Sequence, residues 1–241
     1  MTYLLDAASA AAPALPGGCV VAFSTVHTYL APTGAPSGRR QYLCHGLNAN
    51  ATTWDSGPYL TLANSLRAAG DSLVLLNLPV AQACAFVNGG WQYREQFNAQ
   101  LNAVMDAVEA AHGTAPKNVI GGISYGGLHA MMAIVLNGRF MAWWVHLPVV
   151  RVDALGPTGN PELANVGNIV KFNPQYEVAG LSLKKGLIGY GTADTRVKWQ
   201  LTRDLAAQLP QPLITVRAYP GLDHTTNAAG AADIAAWTAL V

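Results

Sequence analysis

The chain has 241 residues, 11 % of them charged, with 14 Lys and Arg balanced against 13 Asp and Glu. That balance leaves no basic field to hold nucleic acid or an anionic membrane, so neither is expected as a partner. The length suffices to bury a large core and is read most simply as one domain over residues 1–241.

Met1 to Pro16 is alanine-rich, has no Lys or Arg before Arg39 and is interrupted by Asp6. It lacks the basic start and sustained apolar run of a signal peptide, so none is expected. Cys19, Cys44 and Cys84 allow at most one disulfide and show no paired metal spacing. Cys44 lies in an apolar run and reads as a small buried hydrophobe.

The elements alternate along the chain. Cys19 to Leu30, rich in β-branched and aromatic residues, reads as a strand before the turn-rich Pro32 to Gly38. Gln41 to Cys44 is a short strand that runs into His45-Gly46-Leu47. Tyr59 to Ala69 is a helix stopped by Gly70, and Leu73 to Leu78 a buried strand stopped by Pro79. From Tyr93, apolar residues recur at Phe97, Leu101, Val104, Met105, Val108 and Ala111, one buried helical face that Gly113 ends.

Val119 and Ile120 enter a glycine-flanked serine, and a helix-forming run from Leu128 to Leu136 follows. Phe140 to Val150 reads as another buried strand, too short to cross a bilayer, on which His146 is expected to be a hydrogen-bonded core residue. Residues 151–183 have few periodic apolar positions and read as a loop-rich cap. Gly186 to Tyr190, Val197 to Leu209, Leu213 to Tyr219 and Ala228 to Leu240 then read as strand, helix, strand, helix. Strands separated by helices predict an α/β fold, a mostly parallel twisted sheet flanked by helices.

The glycines around Ser124 have a mechanical reason. A side chain at the tip of so tight a turn takes a strained backbone conformation, and its neighbours tolerate the crowding when they lack a Cβ. Gly122-Ile123-Ser124-Tyr125-Gly126, followed by Gly127, resembles the nucleophile elbow of the α/β-hydrolase family. Without that resemblance it is a glycine-rich turn with an idle serine. Cys44-His45-Gly46-Leu47 through Trp54 is similar to the segment that completes the family's oxyanion hole.

The resemblance implies roles for five residues. Ser124 would be the nucleophile, His224 the base and Asp194 its orienting acid, in the family's chain order and after successive strands. The backbone N–H groups of Leu47 and Tyr125 would bind the oxyanion, and His45 would be structural. Asp194 could instead cap the next helix, and Asp223, beside His224, and Asp153 are rival acids. Trp54, Phe86, Trp91 and residues 151–183 are candidates to line the pocket.

No His-Glu-x-x-His helix, dinucleotide fingerprint or Walker loop occurs, and His27, His112 and His129 have no carboxylate or thiolate at ligand spacing. Neither metal nor cofactor is therefore expected. The implied activity is a serine esterase acting on a small-molecule or acylated substrate. The same triad also serves lipases, thioesterases, peptidases and acyltransferases, and the low charge leaves room for a non-catalytic module on the same fold.

Overall fold

The computed structural model describes residues 3–6, 26–47, 49, 51–78, 91–151 and 173–241. Among them are eight strands in one sheet: β1 (Tyr3–Asp6), β2 (Val26–Leu30), β3 (Arg39–Cys44), β4 (Ser72–Leu76), β5 (Lys117–Ile123), β6 (Ala142–His146), β7 (Lys185–Gly191) and β8 (Ile214–Tyr219). Their spatial order is β1-β2-β4-β3-β5-β6-β7-β8. The β1/β2 and β2/β4 pairs are antiparallel and the others parallel. Helices α1 (Gly57–Ala68), α2 (Trp91–His112), α3 (Tyr125–Leu136), α4 (Val178–Leu181), α5 (Trp199–Gln208) and α6 (Ala228–Thr238) connect them.

Both faces of the sheet are covered, which is why its strands are apolar runs. Tyr42, Val74, Ile120 and Trp143 point into one core with Phe97 and Leu101 of α2 and Met131 of α3. Leu43, Leu73, Val119 and Trp144 point into the other, with Leu62 and Leu66 of α1 and Ile234 and Trp237 of α6. The buried face expected on α2 holds from Phe97 to Val108, whereas Ala111 is exposed near the helix end. Gly113 ends that helix with φ +75°, a left-handed turn that only glycine adopts without cost.

A polar cluster ties together the amino ends of β3 and β4. Asp71, with no exposed surface, accepts hydrogen bonds from Ser37 Oγ at 2.6 Å, Arg39 Nε at 2.8 Å and Gln41 Nε2 at 2.8 Å. Trp144 Nε1 donates across the sheet to Gln41 Oε1 at 3.3 Å.

Three expectations need correction. β1 lies in the alanine-rich opening, where no strand was expected, and pairs with β2 from Tyr3↔Tyr29 to Asp6↔Val26. The apolar run Phe140 to Val150 is strand only over Ala142–His146, because Leu147 turns to φ 51° and Pro148 follows. Trp54 is 1 % exposed, packed edge-on against Trp144 and Tyr59, so it belongs to the core and does not line an open pocket. Of the expected cap at 151–183, residues 174–176 form a 3-10 turn and 178–181 form α4. Residues 152–172, and with them Asp153, lie outside the described residues, as do Cys19, Cys84, Phe86 and the side chain of Trp91.

Candidate active site

The site is built at the carboxyl ends of β3, β5, β7 and β8. β5 runs straight into α3, and Ser124 between them takes φ 56° and ψ −122°. A residue with a Cβ held there costs on the order of 1–3 kcal/mol, which the surrounding structure must offset. Close packing shows how the turn is kept. A Cβ on Gly122 would lie 2.1 Å from the Gly126 carbonyl oxygen, and one on Gly126 would lie 2.3 Å from that of Cys44.

The turn is also held through its backbone. Ser124 N–H donates to the His146 carbonyl at 3.1 Å, and Ser124 C=O accepts from Val149 N–H at 3.0 Å and Gly127 N–H at 2.9 Å. The segment after β6, with its own positive φ at Leu147, thus clasps the serine from the neighbouring strand.

Three expected residues meet here. His224 Nε2 lies 2.8 Å from Ser124 Oγ, and His224 Nδ1 lies 2.7 Å from Asp194 Oδ2. A carboxylate only accepts, so Nδ1 carries the proton and Nε2 is left as acceptor for the serine O–H. The side chain of Asp194 is 2 % exposed and that of His224 11 %.

The two readings of Asp194 turn out to be compatible. Its Oδ1 accepts from the N–H groups of Arg196 at 3.0 Å and Val197 at 2.9 Å, capping the turn before α5, and its Oδ2 faces His224. Asp223 does not reach the imidazole Nδ1. Its Oδ1 accepts from Thr195 N–H at 3.0 Å and Thr195 Oγ1 at 3.1 Å, bracing the Asp194 loop from the next strand. Those contacts, the Thr195 amide first, lower the Asp223 pKa.

The loop after β3 lies beside the serine. A Cβ on Gly46 would be 3.8 Å from Ser124 Cβ, so the loop passes the serine one residue before Leu47, while Tyr125 is the first residue of α3. The helix N-terminus favours negative charge at that point. His45 is structural, as expected: Leu78 N–H donates to its Nε2 at 2.9 Å, so its Nδ1 carries the proton and donates to Gly46 C=O at 2.8 Å. Burial lowers its pKa, against the hydrogen bond to Gly46, which raises it.

Cys44 is fully buried, and burial pushes its thiol pKa up, so it is an inert core residue. His129 is also fully buried and pushed down to about 3 by that burial. The expectation for His146 holds in part: it is a buried core residue, but among the described residues neither ring nitrogen has a hydrogen-bond partner. Among the described residues no group of three or more His, Cys, Asp or Glu side chains could hold a metal ion, and no helix is long and apolar enough to cross a membrane.

Strand order, elbow and the Ser124–His224–Asp194 arrangement together define an α/β-hydrolase fold. Comparison with solved structures agrees. The fluorophosphonate-binding serine hydrolase F of Staphylococcus aureus superposes with a TM-score of 0.71 at 18 % identity, over 99 % of this chain and 98 % of that one. S-formylglutathione hydrolase from the same organism gives 0.68 at 17 %, over 99 % and 97 %. Dienelactone hydrolase from Anabaena variabilis gives 0.63 at 15 %, over 100 % and 95 %. The sequence matches no protein-family model and no curated protein.

Proposed function

We propose that this protein is a serine hydrolase that cleaves carboxylic esters through an acyl-enzyme. The observation that carries the reading is the unbroken relay from Ser124 Oγ to His224 Nε2, 2.8 Å, and from His224 Nδ1 to Asp194 Oδ2, 2.7 Å. A serine hydroxyl is a weak nucleophile near neutral pH and needs such a base.

In the first half-reaction His224 Nε2 takes the proton as Ser124 Oγ bonds to the acyl carbon. The carbonyl π electrons move to oxygen, where the Leu47 and Tyr125 amides would receive the oxyanion. Asp194 keeps the ring in the tautomer that accepts at Nε2 and stabilises the imidazolium. Collapse of the tetrahedral species breaks the bond to the alcohol oxygen, which takes the proton from Nε2. Water then repeats the sequence, with His224 as its base, and releases the acid and free Ser124. No step draws on a cofactor. The structural neighbours, among them serine hydrolases and an esterase of Pyrococcus furiosus at TM-score 0.68 and 12 % identity, support the class of reaction.

The test is turnover of p-nitrophenyl esters from acetate to octanoate, with Ser124→Ala as control, alongside labelling by a fluorophosphonate. The expected result is hydrolysis that the substitution abolishes and a single adduct on Ser124. No rate above the control, or an adduct elsewhere, overturns the reading and favours a non-catalytic module on this fold.

A further inference from the structure

His146, the last residue of β6, touches both halves of the site. Its carbonyl accepts the N–H of Ser124 at 3.1 Å. Its ring, 1 % exposed, lies on the α6 side of the sheet against two glycines. A Cβ on Gly189, its register partner on β7, would stand 2.8 Å from Nδ1. One on Gly230, in the first turn of α6, would stand 2.5 Å from Cε1 and 2.9 Å from Nε2. Tyr219 meets the ring edge-on, with centroids 5.2 Å apart.

These contacts bracket the His224 loop. The loop leaves β8 at Tyr219 and enters α6 at Ala228, where Asn227 Oδ1 accepts from Gly230 N–H at 2.8 Å. Tyr219 at one end and Gly230 at the other both rest on the His146 ring. The ring therefore sets how far the loop stands from the end of β6, the strand whose backbone holds Ser124.

Among the described residues neither ring nitrogen has a hydrogen-bond partner, so shape, not hydrogen bonding, explains its contribution to the packing. Burial first, and repulsion from His224 second, push its pKa down to about 4, against weaker opposing effects of Asp233 and Asp194. It is neutral near pH 7 and adds no charge beside the relay.

We propose that His146 is a positioning residue for the Ser124–His224 pair: its carbonyl fixes the nucleophile's backbone and its ring seats the loop that carries the base. The proposal rests on the hydrolase reading above, and it predicts a reciprocal fit between positions 146 and 230. His146→Ala leaves space beneath the loop, and Gly230→Ala forces a methyl group into the ring. Each should lower kcat by about 10–100-fold, the scale of a small misplacement of reacting groups, with KM and the circular dichroism spectrum retained. In the double variant the new methyl group occupies space the imidazole has left. Its kcat should exceed the product of the single effects by about tenfold or more, a coupling expected of residues in contact.

A purely structural role would shift the unfolding temperature without changing kcat or the rate of phosphonate labelling well below it. Wild-type kcat in both folded single variants, or strictly multiplicative losses in the double, overturns the inference while leaving the hydrolase reading intact. If His146→Ala does not fold, Gly230→Ala decides: a folded variant with wild-type kcat overturns the inference, and a lowered kcat at unchanged KM supports it. A wild-type protein that neither turns over esters nor labels at Ser124 sinks both.

Discussion

Two polar sites at opposite ends of the parallel sheet are held in different ways. At the amino end both oxygens of Asp71 are bonded, to Ser37, Arg39 and Gln41, and Asp71 and Gln41 are buried. At the carboxyl end Ser124 and Leu147 hold positive φ, and neither ring nitrogen of His146 has a hydrogen-bond partner among the described residues. Saturated contacts of the first kind bind two strands together. The second kind keeps a hydroxyl and an imidazole in a geometry the chain would not adopt unaided, at a cost the rest of the fold offsets.

The contrast is broken most sharply by two acid substitutions, one at each end. Asp194→Asn should lower kcat for ester hydrolysis by about four orders of magnitude, since the amide no longer enforces the imidazole tautomer. It should leave the unfolding temperature nearly unchanged, because its oxygen still accepts from Arg196 and Val197. Asp71→Ala should do the reverse. Removing the buried carboxylate strands the part-buried Arg39 and leaves the buried Gln41 without its acceptor, a cost of about 3 kcal/mol in denaturant titrations, with kcat retained. Equal effects of both on both properties would dissolve the distinction between the ends.

Acid should also act through the buried histidines near the carboxyl end. His27, His129 and His146 are pushed down by burial to about 4, about 3 and about 4, and Asn77, just beyond β4, donates to the first of them. The unfolded chain binds protons below its ordinary histidine pKa of 6.5 that the folded chain refuses. Stability is therefore full above pH 6.5 and falls as pH drops toward about 4, by at most about 1.4 kcal/mol per pH unit for each histidine. Thermal unfolding between pH 7.5 and 5 should show a midpoint that falls mainly below 6.5; a midpoint flat across that range contradicts the account. The smallest effect belongs to Asp223→Asn. It keeps an oxygen for Thr195, so kcat should change by less than about threefold and the unfolding temperature should stay at the wild-type value. A collapse of turnover there would mean that Asp223, and not Asp194, orients the base.

Much of the site is legible in the sequence because its demands fall on residue type. Gly122 and Gly126 are there because backbone meets backbone. His224 and Asp194 follow apolar runs because strand ends are where this architecture gathers polar groups. The elements that escaped notice leave weaker traces. β1 is four residues held by ladder bonds that any sequence can make, and it precedes a run whose alanines favour helix. The early end of β6 is announced by Pro148 alone, since a leucine at φ 51° has no signature. His146 looked like any core histidine because Gly189 and Gly230, which give it its place, come from other elements. That Asp194 both caps a turn and faces His224 follows from its two oxygens pointing different ways, which spacing along a chain does not encode.

The place of β5 in the sheet has a further consequence for how the protein loses activity. β5 bonds to β3 on one side and β6 on the other, with four strands to its left and three to its right in the order. Flanked on both sides, its amides are expected to be among the last to open to solvent. Asp194 and His224 instead follow β7 and β8, the last two strands toward the opposite edge from β1, where opening begins at the margin. If the proposed relay operates, a partly opened molecule would keep Ser124 in place and lose His224, becoming silent while still largely folded, and recover as soon as the margin closed again.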